Sequence, residues 1–129
     1  MSRKLYIVCV SGTLEKLQMA AMFTSVSVAC DVPVTVFFSM NALMPFVEGR
    51  PCEVASEGEF GGLLKQTGVP PFKQLFQMAT ELGDAQLLPC SMAVDLLKIE
   101  EKDLSQGFGP PTGLAHFINM SEGGQLLTF

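Results

Sequence analysis

The stretch LYIVCVSGTLEKL, residues 5–17, contains the pattern that decides the fold. Its first six residues are apolar without interruption and rich in β-branched side chains, as in a strand covered on both faces. Ser11 and Gly12 then end the strand. Thr13 stands where a helix N-cap is expected, with Glu15 in the first helical turn. The stretch therefore predicts a buried strand followed directly by a helix.

The same alternation continues along the chain. Apolar runs at residues 32–38, 85–90 and 123–129 predict three more strands, and helical patterns occupy the intervals between them. Alternating strands and helices predict an α/β fold, a doubly wound and mostly parallel sheet of about five strands with helices on both faces. A length of 129 residues fits one domain over residues 1–129.

Residues 17–30 form a run of 14 residues without a charged side chain. A helix that spans a bilayer needs about 20 apolar residues, so the run is too short for that role. Because it is apolar on nearly every side, it predicts a buried helix.

Residues 48–62 are polar, rich in glycine and without periodicity. They predict a long surface loop, because they contain few side chains that a core could bury. We expect this loop to be mobile, or to be ordered only by contact with a neighbouring subunit.

The composition restricts the classes of partner. The net charge is −5 and the eight basic residues are scattered, so no groove that follows nucleic-acid phosphates is expected. Hydrophobic residues make up 48% of the chain and charged residues only 16%. Such a surface predicts a homo-oligomer, in which another copy covers part of the apolar area.

The sequence predicts neither a metal nor a cofactor. No cysteine pair has the C-x-x-C spacing, and a single histidine cannot complete a usual zinc site. The SGT turn lacks the glycine pattern of nucleotide-binding loops. No small-residue cleavage site follows the apolar N-terminal segment, so the sequence predicts a cytoplasmic protein with reduced cysteines.

Three segments follow predicted strands, and ligands of parallel sheets bind beyond the carboxyl ends of strands, near the switch in strand order. We therefore expect these segments to meet at one edge and to form the site. Their candidate site residues are Ser11, Gly12, Ser39, Asn41, Cys90, Ser91 and Met92.

Cys90 stands where the third predicted strand passes into a helix. The unpaired N–H groups and the positive dipole end of a helix N-terminus favour the thiolate, which is the nucleophilic form. Ser91 is placed to cap the helix or to donate to the sulfur, whereas the Asp95 carboxylate would raise the thiol pKa. A buried cysteine packed as a small hydrophobe fits the same position, so the residues alone leave both interpretations open.

The other cysteines have weaker claims to chemistry. Cys9 and Cys30 fall in a buried strand and at the end of a buried helix, which predicts packing roles. Cys52 falls in the predicted loop, as an incidental exposed thiol or as a second thiol that pairs with Cys90 or passes sulfur to it. His116, in an apolar helix, is predicted to be a packed or surface histidine.

The stretches VSGTLEKL, VTVFF and above all CSMAVDLLKI carry a resemblance. In element order over most of the chain, they resemble the DsrE/DsrF-like sulfur-relay family, in the branch often labelled "peroxiredoxin family protein". The most specific part is Cys90 with Met92 and Asp95, which match that branch's Cys-x-Met-x-x-Asp pattern. The resemblance implies a flavodoxin-like sheet, a trimer or a multiple of three subunits, and a Cys90 that carries sulfur as a persulfide or thiosulfonate.

With this resemblance, the leading hypothesis is a cytoplasmic sulfur carrier or sulfurtransferase, a carrier rather than a multi-turnover enzyme. The Cys90 thiolate would take sulfur from a donor and pass it to a partner thiol on a TusA-like or rhodanese-like protein. One alternative is a non-catalytic oligomeric module that binds a small anion or a protein at the same edge. The other is a thiol–disulfide oxidoreductase that uses Cys52 and Cys90.

Overall fold

The structure, a computed structural model of the chain, describes residues 3–129. Its strands pair in parallel in the order β3-β2-β1-β4. The strands are β1 Leu5–Cys9, β2 Val34–Phe38, β3 Ala85–Pro89 and β4 Gln125–Thr128. The helices are α1 Leu14–Ala29, α2 Glu59–Leu64, α3 Phe72–Leu82, α4 Ser91–Leu97 and α5 Leu114–Met120. Short 3-10 turns lie at Met40–Ala42, Met44–Phe46 and Glu101–Asp103. The predicted α/β fold with a parallel sheet is confirmed.

Helices cover both faces of the sheet. Neighbouring residues of a strand point to opposite faces of the sheet, and the side chains of β2 contact a helix on each face. The ring of Phe38 lies 5.1 Å from Phe76 of α3, whereas the ring of Phe37 lies 4.9 Å from Phe117 of α5. Because α1 packs beside α3, the first two crossovers share one face and the last crossover takes the other. The sheet is therefore doubly wound.

The predicted number of strands is wrong, since the sheet has four strands and not about five. Residues 108–112 occupy the place of a fifth strand beside β3. The N–H of Gly109 donates to the Leu87 carbonyl at 2.8 Å, and the N–H of Thr112 donates to the Pro89 carbonyl at 2.8 Å. The two prolines between them have no N–H to donate. The segment therefore forms isolated bridges rather than a ladder.

An aromatic cluster fills the core between β2 and α3. Phe38 is fully buried, and its ring centroid lies 4.9 Å from Phe46 and 5.2 Å from Phe108. Phe46 in turn contacts Phe72 and Phe76. Edge-to-face pairs of this kind add to the stabilisation that burial alone gives. The cluster fixes the 3-10 turns that follow β2 against the sheet.

The prediction that residues 17–30 form a buried helix is wrong for one side of α1. Only one side packs, through Leu17, Gln18, Ala20, Ala21 and Thr24. The opposite side exposes an apolar stripe, Met19, Met22, Phe23 and Val26, and Cys30 beyond it is exposed rather than packed. A helix in an outer layer has only one face toward the sheet, so a single chain leaves the other face uncovered.

The predicted loop at residues 48–62 is shorter than expected, because α2 begins at Glu59. The rest of the loop is attached to other parts of the chain. The Leu14 N–H donates to the Ala55 carbonyl at 3.0 Å, and the Glu48 N–H donates to the Asp103 carbonyl at 2.7 Å. Within residues 3–129, no helix has the length and apolar character needed to cross a membrane.

Candidate functional site

The segments that follow β1, β2 and β3 meet at the carboxyl edge of the sheet, as predicted. The N–H of Ser39 donates to the last carbonyl of β1 at 2.9 Å, and the N–H of Cys90 donates to the last carbonyl of β2 at 2.8 Å. Gly12 packs directly against Asn41, since a Cβ atom on Gly12 would lie 2.6 Å from the Asn41 carbonyl oxygen. Backbone contacts therefore fix the positions of these four residues relative to one another.

Cys90 lies at the junction between β3 and α4, where it is the N-cap residue of α4 with extended backbone angles. Its side chain belongs to the hydrophobic core and is only 6% exposed. The predicted position is thus correct, but the solvent access expected of a reactive thiol is absent from this conformation.

Some, but not all, of the backbone N–H groups in the first turn of α4 are free to bind a negative charge. The Ser91 N–H is used, since it donates to the Thr112 carbonyl at 2.9 Å. Within residues 3–129, the N–H groups of Met92 and Ala93 have no protein acceptor. Asp95, one turn later, is exposed. Two N–H donors therefore remain free in the first turn of α4, and neither binds the Cys90 side chain in this conformation.

The structure corrects the position of Cys90 relative to the switch in strand order. The order reverses at β1, whose neighbours are β2 and β4. The residue at this reversal is Ser11, whose N–H donates to the Phe129 carbonyl at 3.3 Å. Cys90 follows β3, two strands away, which corresponds to about 10 Å at the usual strand spacing.

Three predicted site residues line a cavity with a different thiol. Ser11, Gly12 and Asn41 border a cavity of about 360 Å³ that also contains Cys52 and Met44. Cys90 is not among its lining residues. The structure therefore places Cys52, rather than Cys90, beside the turn after β1.

A second, apolar groove adjoins this cavity, and the two share Asn41 and Met44 as lining residues. The groove measures about 190 Å³ and is otherwise lined by Met40, Met92, Ala93, Leu96 and Leu97. Met40 has a left-handed backbone with φ of 54°. Methionine side chains adapt to different apolar partners. Met92 was predicted as a site residue from its place after the third strand and from the family pattern, whereas the groove was not predicted.

The DsrE/DsrF/DrsH-like family matches residues 39–129, about seven tenths of the chain. The chain belongs to this family. The matched range contains Cys90, Met92 and Asp95 as well as Ser39 and Asn41, whereas Ser11 and Gly12 lie before it. The resemblance inferred from the sequence is therefore confirmed at the level of the family.

Two solved structures are similar to this chain over the full length of both proteins. One is the protein of unknown function MTH1491 from Methanobacterium thermoautotrophicum, with a TM-score of 0.67 and 13% identity. The other is the YchN protein from E. coli, with a TM-score of 0.64 and 15% identity. At these identities the similarity shows the shared fold. A search of curated proteins found no match.

The four thiols of this DsrE/DsrF/DrsH-like chain differ in accessibility. Cys9 is buried in β1, and burial raises its pKa to about 12, so it stays protonated and inert. Cys30 and Cys52 are exposed. Cys90 is buried like Cys9, but it lies at a strand end rather than inside a strand.

Residues 48–58, here called the strap, are attached to α1 through the Glu15 carboxylate. The sequence predicted this side chain only as a charge in the first turn of the helix. Glu15 accepts hydrogen bonds from the N–H of Glu57 at 2.8 Å and of Gly58 at 2.9 Å. These bonds hold the pKa of the Glu15 carboxyl below its usual value. Thr13, the N-cap residue of α1, donates its hydroxyl proton to Glu57 at 2.7 Å instead of capping the helix.

No three His, Cys, Asp or Glu side chains come together as a metal site within residues 3–129. His116 is exposed on α5 and borders an open cleft of about 600 Å³ on the other face of the sheet. Gln86 and Phe108 also line that cleft. It lies along β3 and is separate from the cavity that contains Cys52.

Proposed function

We propose that this chain is a sulfur carrier that holds sulfane sulfur on Cys90 and passes it to a partner thiol. The observation that carries the proposal is the position of Cys90, the N-cap of α4 at the carboxyl edge of the sheet. It lies in the part of the chain that matches a family generally related to sulfur relay. Ser91, Met92 and Asp95 are its supporting residues in this proposal.

The proposed chemistry is a displacement at sulfur that needs no external oxidant. The Cys90 thiolate attacks the outer sulfur of a donor persulfide R–S–SH, the donor S–S bond breaks, and the donor leaves as its thiolate. Cys90 then carries the persulfide, whose negative charge the N–H groups of Met92 and Ala93 are placed to stabilise. A partner thiolate attacks the outer sulfur in turn and releases the Cys90 thiolate.

The partner in this proposal is a TusA-like or rhodanese-like sulfur-transfer protein in the cytoplasm. The carrier itself is proposed to be a homo-oligomer of three subunits or a multiple of three. The exposed apolar stripe of α1 supports self-association, because large uncovered apolar areas are uncommon on soluble monomers.

The test is sulfur loading followed by intact mass measurement. Incubation with polysulfide, thiosulfate or tetrathionate is expected to add sulfane sulfur or a thiosulfonate group that maps to Cys90 and disappears on reduction. Cys90→Ser is expected to abolish the adduct, whereas Cys30→Ser, at an exposed thiol of the same chain, is expected to retain it. An adduct that persists in Cys90→Ser, or that maps to Cys52, contradicts the proposal.

A second candidate is a non-catalytic oligomeric module that binds a small anion or a protein. The burial of Cys90 and the adjacent methionine-lined groove favour it. The rate of thiol alkylation separates the candidates, since a carrier needs a reactive Cys90 and a packed residue is inert.

A thiol–disulfide oxidoreductase is a third candidate, because Cys52 is exposed in a cavity at the same edge. It requires a bond between Cys52 and Cys90. The absence of that bond after mild oxidation would exclude this candidate.

A further inference from the structure

Ser39 and Cys90 directly follow the neighbouring strands β2 and β3, and they lie side by side. The register pairs Phe38 with Pro89, and the Cys90 N–H continues this ladder by donating to the Phe38 carbonyl at 2.8 Å. Ser39 and Cys90 both have extended backbone angles. Paired residues of neighbouring strands carry their side chains on the same face, about 5 Å apart. The Ser39 hydroxyl is therefore one strand spacing away from the Cys90 thiol.

The Ser39 side chain is only 5% exposed, yet its hydroxyl is not used by the fold. Ser39 is the N-cap residue of the turn Met40–Ala42, a position at which a serine hydroxyl usually accepts a hydrogen bond. It makes no such bond here and, unlike the hydroxyls of Ser105 and Ser121, takes part in no other hydrogen bond within residues 3–129. No fully buried side-chain oxygen in that range lacks a partner, so the Ser39 oxygen keeps a narrow opening to solvent.

The other hydroxyls near Cys90 are oriented differently. Thr112 pairs with Cys90 through an isolated parallel bridge on the side opposite Ser39, but its hydroxyl donates to a nearby backbone carbonyl at 3.0 Å. The Ser91 hydroxyl lies near Gly113, where a Cβ atom would be 3.9 Å from its oxygen. Ser39 therefore carries the buried, unpartnered hydroxyl that lies beside Cys90.

In the unloaded protein, the two side chains are not hydrogen-bonded to each other. Within the described part of the chain, neither the Ser39 hydroxyl nor the Cys90 thiol has a hydrogen-bond partner. A persulfide places a second sulfur about 2 Å beyond the first, the length of an S–S bond. The added atom brings the Cys90 side chain within hydrogen-bond distance of a neighbour at one strand spacing.

We propose that the Ser39 hydroxyl binds the outer sulfur of the Cys90 persulfide, which is the atom that is transferred. This inference rests on the proposed function and adds to it the group that recognises the loaded state. After the donor thiolate has left, the outer sulfur releases its proton to solvent. The hydroxyl then donates a hydrogen bond to the sulfur anion and keeps its own proton. Because hydrogen bonds to charged acceptors are strong, this contact stabilises the loaded chain and leaves the unloaded thiol unchanged.

The test is the equilibrium loading of the full chain by glutathione persulfide in the presence of glutathione, with the persulfide on each cysteine quantified by mass mapping. Ser39→Ala is expected to lower the equilibrium constant for loading of Cys90 by about tenfold, as the loss of a hydrogen bond to a charged group does. Loading of the exposed Cys30 is expected to stay the same. Thr112→Val, which removes the hydroxyl on the other side of Cys90, is the matched control and is expected to load like the wild type.

Two measurements on the unloaded chain separate this contact from a structural role. Since the Ser39 hydroxyl has no protein partner, Ser39→Ala is expected to unfold at a urea concentration no lower than that of the wild type. Alkylation of unloaded Cys90 by iodoacetamide is expected to keep its wild-type rate, because the proposed contact forms only with the second sulfur.

Three outcomes overturn the role of Ser39 while the wild type still loads at Cys90. Equal loading of Ser39→Ala and the wild type shows that the hydroxyl does not bind the outer sulfur. Equal losses in Ser39→Ala and Thr112→Val show that any change beside Cys90 has the same effect. Easier unfolding or altered alkylation of unloaded Ser39→Ala shows a structural role. A wild-type chain that does not load at Cys90 is a different result, because it contradicts the proposed function and the Ser39 contact together.

Discussion

Gly12 lies so close to Asn41 that a side chain on Gly12 would collide with the Asn41 backbone. A Cβ atom would be 2.6 Å from the carbonyl oxygen and 3.0 Å from the Asn41 Cβ. Atoms at such distances have to move apart, and a backbone carbonyl moves only with its segment. The glycine therefore allows the turn after β1 to contact the turns after β2, which determines the shape of the cavity with Cys52.

Gly12→Ala is expected to displace the turns after β2 and to shift the backbone NMR signals of Asn41 and Met44. The free energy of unfolding is expected to fall by about 1–3 kcal/mol, as for other overpacked sites. Gly62→Ala is the control, because a Cβ atom there meets no other atom within 4 Å. Equal effects of the two substitutions would contradict this account of Gly12.

Phe38 is expected to be one of the side chains on which stability depends most. Its ring is fully buried and contacts Phe46, Phe76 and Phe108. Phe38→Ala is expected to lower the free energy of unfolding by about 3–5 kcal/mol, measured by urea denaturation. Phe60→Ala, at a ring that is 64% exposed, is expected to change it by less than about 1 kcal/mol. A similar loss in both variants would exclude the aromatic cluster as the main core.

The strands and the junction at Cys90 were predictable from the sequence because local chemistry determines them. The run LYIVC has few stable alternatives to a buried strand, and the boundary between Pro89 and Ser91 marks a strand end and a helix start. The number of strands was not predictable in this way. Residues 108–112 bind to β3, but their prolines interrupt the ladder, and only the three-dimensional arrangement shows this contact.

The burial of α1 and the composition of the site could not be predicted from the sequence, because both depend on long-range contacts. An apolar run predicts burial, but the sequence does not specify whether the same chain or another copy covers each side of the helix. Likewise, Glu15 and Glu57 are 42 residues apart. No local sequence pattern could therefore indicate that the Glu15 carboxylate accepts a hydrogen bond from the backbone of Glu57. Cys52 likewise lines a cavity with Asn41, which lies in a different segment of the chain.

The exposed stripe of α1 provides a test of the proposed homo-oligomer. Val26 is 62% exposed in the single chain, and Met22 and Phe23 are exposed beside it. Val26→Glu would bring a charge into any interface there, so we expect it to reduce the mass measured by light scattering from an oligomer toward a monomer. Phe60→Glu, at an exposed ring on α2, is expected to retain the wild-type mass. A wild-type monomer at micromolar concentration would contradict the prediction.

Cys9 is expected to be unreactive in the folded protein over the usual pH range. Burial raises its pKa to about 12, so almost no thiolate is present at pH 9. Iodoacetamide is expected to modify exposed Cys52 within minutes at this pH and to leave Cys9 unmodified until the chain is denatured in urea. Mass mapping of both cysteines measures the difference. Modification of Cys9 at the rate of Cys52 would show that β1 is not protected.

The hydrogen bonds between Glu15 and the strap have a pH dependence whose sign follows from the pKa of Glu15. Hydrogen bonds from Glu57 and Gly58 hold that pKa below the usual glutamate value. A carboxyl whose pKa is lowered by folding contributes stability above its unfolded pKa and loses this contribution as the pH falls through its folded pKa. The strap is therefore expected to stay attached at neutral pH and to detach only in acid, below the usual range for glutamate.

NMR titration of the Gly58 amide signal measures this transition directly. The midpoint is expected to lie below the usual pKa of a glutamate side chain, in the direction of the lowered Glu15 pKa. Glu15→Gln is expected to remove the Gly58 transition. A Gly58 midpoint at or above the usual glutamate pKa would show that the carboxylate does not hold the strap.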